Sequence, residues 1–575
     1  MRNSRKRTGR GGRIARIMSS LAILATVSLF ALPATPGLAD GPFPINADNA
    51  SADSTVTSSI DGVTTLRVRV LAPTTTPPSG GWPAVIYMTG SSTSRCNNIN
   101  YYPRDQLARD GFVVVSFTGR GWPGGGVNSA ACLDSSAEMA DTLNDSGWDG
   151  SGPNDKQDVK DIISWVISNQ PVNAAKIGVM GASYNGQRTY LMPAFDSRIA
   201  AIVPIDAPTL GLGNVASISD HASAENSSGS LFSYLNANAG WFGHSDPSVL
   251  SNVSEATRTR YLGLTVPTAT QTWFNSRTVL DDNSSVDKAH LITVPTFVVH
   301  GLLDNTINPS QAIEAWKKIP AGQKYLYLGA CGHGAPCATG NATALRNKIH
   351  DFLDKYLRGS AVTMGGPVFY AIPQVNQASD DWPVQQASNW PPPELPGSPQ
   401  TLYLRTGNSL STTAPTTNEA ADTMPNNTWA NSIGDACAAT SYGAGEYVAY
   451  TSTDVALQNL KLAQVDADLT LSSSTTRLAV VADLWEVTST GVDVARVWKG
   501  TSFVVPTARG QAANTHVRFK FVPSGNAYTV AAGNKLRLKI ATNYRGYFAP
   551  EPYPGTYSIY HTNTEPSKIT LHWAS

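Results

Sequence analysis

The residue with the clearest chemical potential is a serine set between two glycines. The segment MGASYNGQ, residues 180–187, follows a short apolar run, IGVM, and precedes a stretch that is compatible with a helix. A strand–turn–helix connection of this kind can hold Ser183 in a strained elbow, with its hydroxyl projecting above a sheet. We expect Gly181 and Gly186 to permit the close approach of strand and helix. The common elbow is G-x-S-x-G, so the second glycine here comes one residue late.

A serine nucleophile needs a base that takes its proton and an acid that orients the base. In α/β-hydrolases these partners follow in the order Ser, Asp, His, each on a loop after a strand. Asp304 follows the apolar segment PTFVVHGLLD, and His333 follows KYLYLGACGHG. We therefore predict Ser183 as nucleophile, Asp304 as orienting acid and His333 as base. The structural alternatives are an ordinary turn for Ser183 and a turn or helix N-cap for Asp304.

The remaining histidines near this pattern have other expected roles. His300 lies inside a predicted strand, where we expect a core or supporting group. His221 and His244 lie in an insertion and could touch a substrate.

Stabilisation of a tetrahedral oxyanion requires fixed hydrogen-bond donors, usually two. The backbone N–H of Tyr184, directly after the nucleophile, is the first candidate. The second is the backbone N–H of Ser91, in the small turn that follows the apolar run AVIYM. The alternative for this second segment is an ordinary tight turn.

The elements that must position these residues have the pattern of an α/β fold. Short apolar runs, typical of parallel strands buried on both faces, occur at residues 84–88, 112–117, 177–180, 200–205, 295–300 and 325–329. Amphipathic helices are predicted over 155–169 and around 345–356, the second capped by Gly359. Alternating strands and helices predict a doubly wound α/β sheet.

Two further regions flank or interrupt this pattern. About ninety residues without a clear strand precede residue 295, and we predict a partly helical cap over about 209–292. After Gly359 the sequence becomes rich in Pro and Trp and then in short alternating runs. We predict a catalytic domain over 40–360, a linker over 361–400 and an all-β jelly-roll or sandwich domain over 401–575.

The N-terminus has the layout of a secretory signal peptide. Seven cations and no acid occupy the first sixteen residues, an apolar run spans Leu21 to Leu32, and Gly37-Leu38-Ala39 offers a small-residue cleavage site. We predict a leader over 1–39 and a secreted, extracellular protein. The alternative is a membrane anchor, although the apolar run is short for a bilayer of about 30 Å.

Charge and composition limit the expected partners. The chain has 42 Lys and Arg against 42 Asp and Glu, so removal of the seven leader cations leaves 35 − 42, or a net charge of −7. From this mildly acidic net charge of the mature protein we expect neither nucleic-acid binding nor membrane association. The sequence shows no pattern that specifies an oligomeric state.

The chain has five cysteines, which suit an oxidising compartment. We expect one disulfide between Cys331 and Cys337 and one between Cys96 and Cys132, with Cys437 free, although spacing alone does not fix the connectivity. No CxxC pair or HExxH motif points to a metal, and we expect no cofactor.

With these motifs the chain resembles the Xaa-Pro dipeptidyl-peptidase and cocaine-esterase-like serine hydrolases. GASYNG is similar to their G-x-S-Y-x-G elbow, and FLDKYLRG, residues 352–359, resembles the end of their catalytic domain. PVFY, then DDWPVQQASNWPPP and TLYLR, resembles the entry into their C-terminal jelly roll. The resemblance implies an α/β-hydrolase domain with an inserted helical cap, a nearby β-sandwich, and a triad at Ser183, Asp304 and His333.

The chain departs from that family at two segments. Many relatives have a tyrosine in the loop after the first buried strand, where this chain has TGSS, residues 89–92. Where the relatives have an Asp-x-Arg-Gly segment, this chain has Thr118 in the place of the acid, and its Arg120 and Gly121 match the pattern.

Three functions are compatible with these features. The leading hypothesis is hydrolysis of an ester or amide, as in an Xaa-Pro dipeptidyl-peptidase, for which Asp206, Asp220 and Glu225 are candidates to bind a substrate amine. A carboxylesterase or acylase would need only an apolar acyl pocket. A catalytically inert, carbohydrate-binding secreted protein is the alternative of a different class.

Overall fold

The structure is a computed structural model, and it describes part of the chain at residue level. The described residues are 42–90, 94–99, 101–121, 147–209, 248–249, 251–252, 255, 266–280, 287–302, 304, 307, 309–329, 332–333, 339–372, 382–393, 398–425, 447–452, 460–474, 481–498, 512–541 and 555–574. Among them, no helix has both the length and the apolar character needed to cross a membrane.

The first sheet contains ten strands and is parallel in its centre. Its strands are β1 (Asp53–Thr57), β2 (Thr65–Leu71), β3 (Trp82–Met88), β4 (Val113–Phe117), β5 (Val172–Ala182), β6 (Ile199–Ile205), β7 (Thr296–Gly301), β8 (Lys324–Gly329), β9 (Val368–Ala371) and β10 (Val384–Ala387). Their spatial order is β1-β2-β4-β3-β5-β6-β7-β8-β9-β10. The run from β4 to β9 is parallel, whereas β1, β2 and β10 pair antiparallel at the edges.

Helices cover both faces of this sheet. They are α1 (Arg104–Arg109), α2 (Pro153–Asn169), α3 (Tyr184–Phe195), α4 (Thr268–Asn275), α5 (Pro309–Lys318) and α6 (Thr339–Leu353), with a π-helical turn at Asp354–Arg358 and 3₁₀ turns at Ala50–Ala52 and Ala289–Leu291. Successive residues of β3 enter different cores: Ile86 packs in the cluster that includes α2, α3 and α5, and Tyr87 in the one that includes α1 and α6. The predicted doubly wound sheet is therefore confirmed.

Two predicted helices show why the sequence folds in this way. Val159, Ile162 and Val166 form the buried face of α2, because residues three and four apart lie on the same side of a helix. The π-helical turn that continues α6 ends at Gly359, whose φ of +78° is the left-handed conformation predicted for the cap.

The stretch 361–400, predicted as a linker, contains two strands of the first sheet. Strand β9 adds in parallel to β8, and β10 pairs antiparallel with β9. The linker prediction was wrong here because each strand has only four residues, too few to show a periodic pattern, and Gly and Pro surround them. The predicted cap over about 209–292 lies largely outside the described residues, and its described part includes α4.

The second sheet forms an all-β C-terminal region. Its strands are β11 (Gln400–Arg405), β12 (Ser409–Ser411), β13 (Asp422–Pro425), β14 (Val448–Ser452), β15 (Leu460–Ser473), β16 (Val481–Val487), β17 (Asp493–Trp498), β18 (Val517–Val530), β19 (Lys535–Ala541), β20 (Thr556–Ile559) and β21 (Lys568–Ala574). Alternate residues such as Leu536, Leu538 and Ile540 of β19 enter a separate buried core. This core makes the region a second hydrophobic unit, and α5 of the first unit lies against β18.

Candidate active site

Ser183 lies at a sharp turn between a strand and a helix. Strand β5 ends at Ala182 and helix α3 begins at Tyr184, so Ser183 is the single connecting residue. Its φ of 53° is in the left-handed region, which is costly for a residue with a side chain. The turn is held by the Ser183 N–H, which donates to the Ile205 carbonyl at 2.7 Å, and by the Gly186 N–H, which donates to the Ser183 carbonyl at 2.9 Å. The predicted elbow is present.

The two glycines of the elbow are required by close packing. A Cβ atom added to Gly181 would lie 2.5 Å from the Asn185 carbonyl oxygen. One added to Gly186 would lie 2.8 Å from the Ile205 carbonyl oxygen, in the neighbouring strand. The late second glycine therefore has the role that the sequence predicts, although it is displaced by one position.

The three predicted triad residues lie in one chain of hydrogen bonds. Ser183 Oγ is 2.9 Å from His333 Nε2, and His333 Nδ1 is 2.8 Å from Asp304 Oδ2. Because an ionised carboxylate only accepts hydrogen bonds, Nδ1 carries the hydrogen, and Nε2 is left to accept from the serine hydroxyl. These groups follow β5, β7 and β8, parallel strands whose carboxyl ends lie at the same edge of the sheet, with β6 between β5 and β7.

Asp304 is fully buried but remains ionised. Burial alone would raise the pKa of its carboxyl, yet the facing His333 and His300 lower that pKa well below its usual value. Its Oδ1 accepts the Ile307 N–H at 2.8 Å, and its Oδ2 is also 3.2 Å from His300 Nε2. An anionic, hydrogen-bonded acid can hold a histidine in one tautomer and stabilise its cation.

Of the two predicted oxyanion donors, the structure describes Tyr184. Tyr184 is the first residue of α3, so its N–H has no carbonyl one turn earlier within the helix to which it could donate. Ser91 lies outside the described residues. The neighbouring Gly90 packs on the nucleophile, because a Cβ added there would lie 3.2 Å from Ser183 Cβ and 3.7 Å from its Oγ.

Asn185 has a supporting role that the sequence analysis did not identify. This residue occupies the position of the second glycine in the common elbow, and it is buried. Its side-chain Nδ2 donates to the Thr89 carbonyl and lies 3.2 Å from the Gly90 carbonyl oxygen. Asn185 therefore ties the helix after the nucleophile to the loop after β3. The displaced glycine was the only sequence signal for it.

The side chain of Tyr184 points into a group of buried charges on the other side of the elbow. Its hydroxyl donates to Asp155 Oδ2 at 2.6 Å, and Arg188 Nη2 lies 3.0 Å from the same oxygen. Asp149 accepts backbone N–H groups from Gly152 at 2.9 Å and from Asn154 at 2.8 Å. Burial and the nearby Asp155 carboxylate raise the pKa of Asp149 to about 7. We call Asp149, Asp155, Tyr184 and Arg188 the tyrosine-side group.

Asp206, one candidate for binding a substrate amine, lies beside Asp304. We call Asp206, His300, Asp304 and His333 the acid side of the site. Asp206 follows β6 with a φ of 44°, and its Oδ1 accepts the Gly301 N–H at 2.8 Å. The other two acid candidates, Asp220 and Glu225, lie outside the described residues, as do His221 and His244.

Of the two segments in which the chain departs from its relatives, the one that contains Thr118 and Arg120 is held by hydrogen bonds and ion pairs. Arg120 is buried and forms a two-pronged ion pair with Asp158 of α2, at 2.9 and 2.8 Å, and a third bond with Asp61. Thr118, in the place of the family acid, accepts the Arg95 N–H at 3.3 Å. Arg120 therefore has carboxylate partners although no acid precedes it at position 118.

Cys96 is disulfide-bonded. Its partner, and the predicted cysteines Cys132, Cys331, Cys337 and Cys437, lie outside the described residues. The pairing of Cys96 with Cys132 and that of Cys331 with Cys337 stay predictions.

Comparison with known proteins agrees with this arrangement. Residues 61–335 match the family model of X-Pro dipeptidyl-peptidase (S15 family), a stretch that contains Ser183, Asp304 and His333. A search among curated protein sequences returned no match.

Solved structures share the fold along most of the chain. A CocE/NonD family hydrolase from Staphylococcus aureus aligns with 93% of this chain and 97% of its own, at 13% identity and a TM-score of 0.65. An α-amino acid ester hydrolase aligns with 96% of this chain and all of its own, at 15% identity and a TM-score of 0.57. An aminopeptidase from a marine sediment Thaumarchaeota archaeon covers 91% and 97%, at 16% identity and a TM-score of 0.58.

The fold and these matches define the class of the protein. It is a serine hydrolase with an α/β-hydrolase domain and an all-β C-terminal domain. The predicted resemblance to the X-Pro dipeptidyl-peptidase and cocaine-esterase-like hydrolases is confirmed.

Proposed function

We propose that this protein is an exported hydrolase that cleaves an ester or amide bond through a covalent acyl-enzyme on Ser183. The observation that carries the proposal is the continuous chain from Ser183 Oγ to His333 and on to Asp304, at 2.9 and 2.8 Å. The strained backbone of Ser183 supports it, because such strain is concentrated at functional sites.

In the first half of the reaction, Ser183 Oγ attacks the substrate carbonyl carbon while His333 Nε2 takes its proton. The resulting imidazolium is stabilised by the Asp304 carboxylate and donates the same proton to the leaving alcohol or amine as that bond breaks. In the second half, water attacks the acyl-enzyme, with His333 again as the base. The Ser183 hydroxyl is restored when the product acid leaves, and no cofactor takes part.

The oxyanion that forms in each half needs fixed donors. We assign the Tyr184 N–H as the first donor and keep Ser91 as the predicted second one. A single such donor contributes about 3–4 kcal/mol to transition-state stabilisation in other serine hydrolases.

Two substrate classes are compatible with this site. A dipeptidyl-peptidase of the Xaa-Pro type must recognise a free amine, and that role would fall on a carboxylate other than Asp206, whose Oδ1 is bonded to Gly301. A carboxylesterase needs only an acyl pocket, and the likeness to an α-amino acid ester hydrolase keeps this alternative open.

Covalent labelling tests the reaction class. A fluorophosphonate probe is expected to label the wild-type protein and not Ser183→Ala, because only an activated serine reacts. Ser54→Ala, a serine of β1 in the same domain, is the matched control and is expected to label normally. Absence of labelling in well-folded wild-type protein would contradict the enzymatic proposal and favour a binding protein.

Comparison of substrates separates the two classes. Cleavage of Ala-Pro-p-nitroanilide, lost when its N-terminus is blocked, is the result expected for the peptidase. Turnover of p-nitrophenyl acyl esters that is indifferent to a free amine would favour the esterase.

Export is a proposal that rests on the basic and apolar leader. N-terminal sequencing of the protein recovered from the culture medium is expected to begin at Asp40. An intact leader on cell-associated protein would support the membrane-anchor alternative.

A further inference from the structure

The triad acid lies between two histidines, of which the mechanism uses one. His333 Nδ1 is 2.8 Å from Asp304 Oδ2, and His300 Nε2 is 3.2 Å from the same oxygen. The other carboxylate oxygen accepts the Ile307 N–H. Asp304 is therefore supported from the interior as well as from the side of the nucleophile.

The position of His300 is fixed by the sheet. It lies in β7 opposite Leu328 of β8 and is 1% exposed. Its Nε2 is also 2.8 Å from the Ile307 carbonyl oxygen. Because a carbonyl only accepts hydrogen bonds, Nε2 carries a hydrogen, which points toward both Ile307 and Asp304. His300 is a cation if Nδ1, which has no hydrogen-bond partner among the described residues, is also protonated.

A second carboxylate next to His300, that of Asp206, favours the protonated form of His300. One side-chain oxygen of Asp206, one ring nitrogen of His300 and one carboxylate oxygen of Asp304 lie within 4.8 Å of one another, and all three residues are buried. Two carboxylates this close in a dry interior repel each other unless a cation or a proton lies between them. His300 is the group placed to supply that charge.

The electrostatics of the three groups agree with this arrangement. Burial alone would lower the pKa of His300, but its hydrogen bond to Asp304 and the charges of Asp304 and Asp206 raise it. Burial and the nearby Asp304 carboxylate raise the pKa of Asp206. His300 and His333 oppose this rise. Among described residues, the charged groups that act on His300 are thus Asp304 and Asp206, with His333 acting on both acids.

We propose that His300 is a positioning residue which, as a cation shared between Asp206 and Asp304, keeps the triad acid ionised and aimed at His333. The proposal rests on the proposed triad. It gives Asp206 a role different from amine binding: its carboxylate favours the charged form of His300. Without that cation, Asp206 and Asp304 would share a proton, and a protonated Asp304 would no longer stabilise the His333 cation.

The test is the pH profile of kcat/KM for His300→Gln on a p-nitrophenyl ester. Glutamine keeps a donor for the Ile307 carbonyl but cannot carry charge. We expect kcat/KM to fall about 10- to 100-fold at pH 7, the range of a hydrogen bond to a charged group, with KM changed by less than about twofold. The acid limb should move to higher pH by about one unit, because the carboxyl pair then takes up a proton more easily.

A double variant provides a readout that a merely structural role would not move. Adding Asp206→Asn to His300→Gln removes the repelling carboxylate, so the acid limb should return toward its wild-type position. His290→Gln, at an exposed position in the Ala289–Leu291 turn, is the matched control and should leave the profile unchanged. An unshifted limb in His300→Gln, or no return in the double variant, would overturn the proposal.

Two further measurements keep the result interpretable. At pH 8, the ¹⁵N spectrum of histidine-labelled wild-type protein should contain an imidazolium signal that disappears in Asp206→Asn, and its absence would overturn the proposal even if His300→Gln does not fold. Fluorophosphonate labelling of His300→Gln at high pH should persist and should be absent in Ser183→Ala. Turnover that survives Ser183→Ala would instead refute the triad itself.

Discussion

Two groups of buried charges adjoin the elbow, one through His333 and one through Tyr184, and the pKa of an acid is shifted in opposite directions in the two groups. On the acid side, Asp304 faces two histidines, which lower the pKa of its carboxyl. In the tyrosine-side group, Asp149 faces another carboxylate, Asp155, and the pKa of Asp149 is raised to about 7. Burial raises the pKa of both acids; the two histidines beside Asp304 outweigh it, whereas Asp155 adds to it at Asp149 and the nearby Arg277 opposes it only in part.

We expect the acid side to take part in the reaction and the tyrosine-side group to stabilise the fold around the elbow. The acid side reaches Ser183 through His333, whose ring gains and loses a proton in each cycle of the proposed mechanism. The tyrosine-side group reaches the elbow through Tyr184 and holds the start of α2 against α3 with fixed hydrogen bonds. We therefore expect substitutions on the acid side to change turnover, and substitutions in the tyrosine-side group to change the free energy of unfolding.

The largest effect is expected for Asp304→Asn. An amide can present its N–H to His333 and favour the wrong tautomer, so kcat should fall about 10³- to 10⁴-fold, as at the corresponding acid of other triads. Steady-state kinetics with a chromogenic ester measure this, and the thermal midpoint should change little.

Asp351→Asn, on the exposed part of α6, is the matched control for Asp304→Asn and should retain full activity. Retention of activity by Asp304→Asn would transfer the role of the acid to another carboxylate, with Asp206 the nearest candidate.

The next effect in size is expected for Arg188→Met, which tests the other group. Arg188 is 2% exposed and pairs with Asp155 at 3.0 Å, so its removal leaves a buried carboxylate without its cation. The free energy of unfolding should fall by about 3–5 kcal/mol, measured by urea denaturation.

Lys317→Met is the control for this substitution, because Lys317 of α5 forms a more exposed ion pair with Glu314 and should contribute less than about 1 kcal/mol. If Arg188→Met unfolded at the wild-type urea concentration but lost turnover, the tyrosine-side group would belong to the catalytic machinery.

Strong local sequence signals predicted three residues that the structure brings into one chain of hydrogen bonds. The strands before Ser183 and Asp304 are continuous apolar runs, and the order of the three residues restricts which histidine could serve. The contacts of His300 and Asn185 could not be predicted, because they depend on the packing of β6, β7 and the loop after β3 in three dimensions. The short strands β9 and β10 were missed for a related reason, since four residues without periodicity become strands only when a neighbouring edge accepts them.

The smallest expected effect is a pH dependence that originates in the tyrosine-side group. The pKa of Asp149 is about 7 in the folded protein and near 3.8 in the unfolded chain, so between these values the folded state binds more protons. The contribution of Asp149 to stability is therefore present below about pH 4 and is lost as the pH rises toward 7. Asp149→Asn does not titrate, so its free energy of unfolding relative to wild type should improve by more than about 1 kcal/mol from pH 4 to pH 7.5.

Urea denaturation at four pH values measures this difference, with Ser164→Ala in the adjacent helix α2 as the control. Ser164 lies on the exposed side of α2 and has no titratable side chain, so its substitution should shift stability by the same amount at each pH. A pH-independent difference for Asp149→Asn would mean that the backbone N–H groups of Gly152 and Asn154, together with the nearby Arg277, keep this acid ionised. The two sides of the elbow would then hold their carboxylates in the same charge state, and the acid side would differ only in having a histidine that can exchange protons with the substrate.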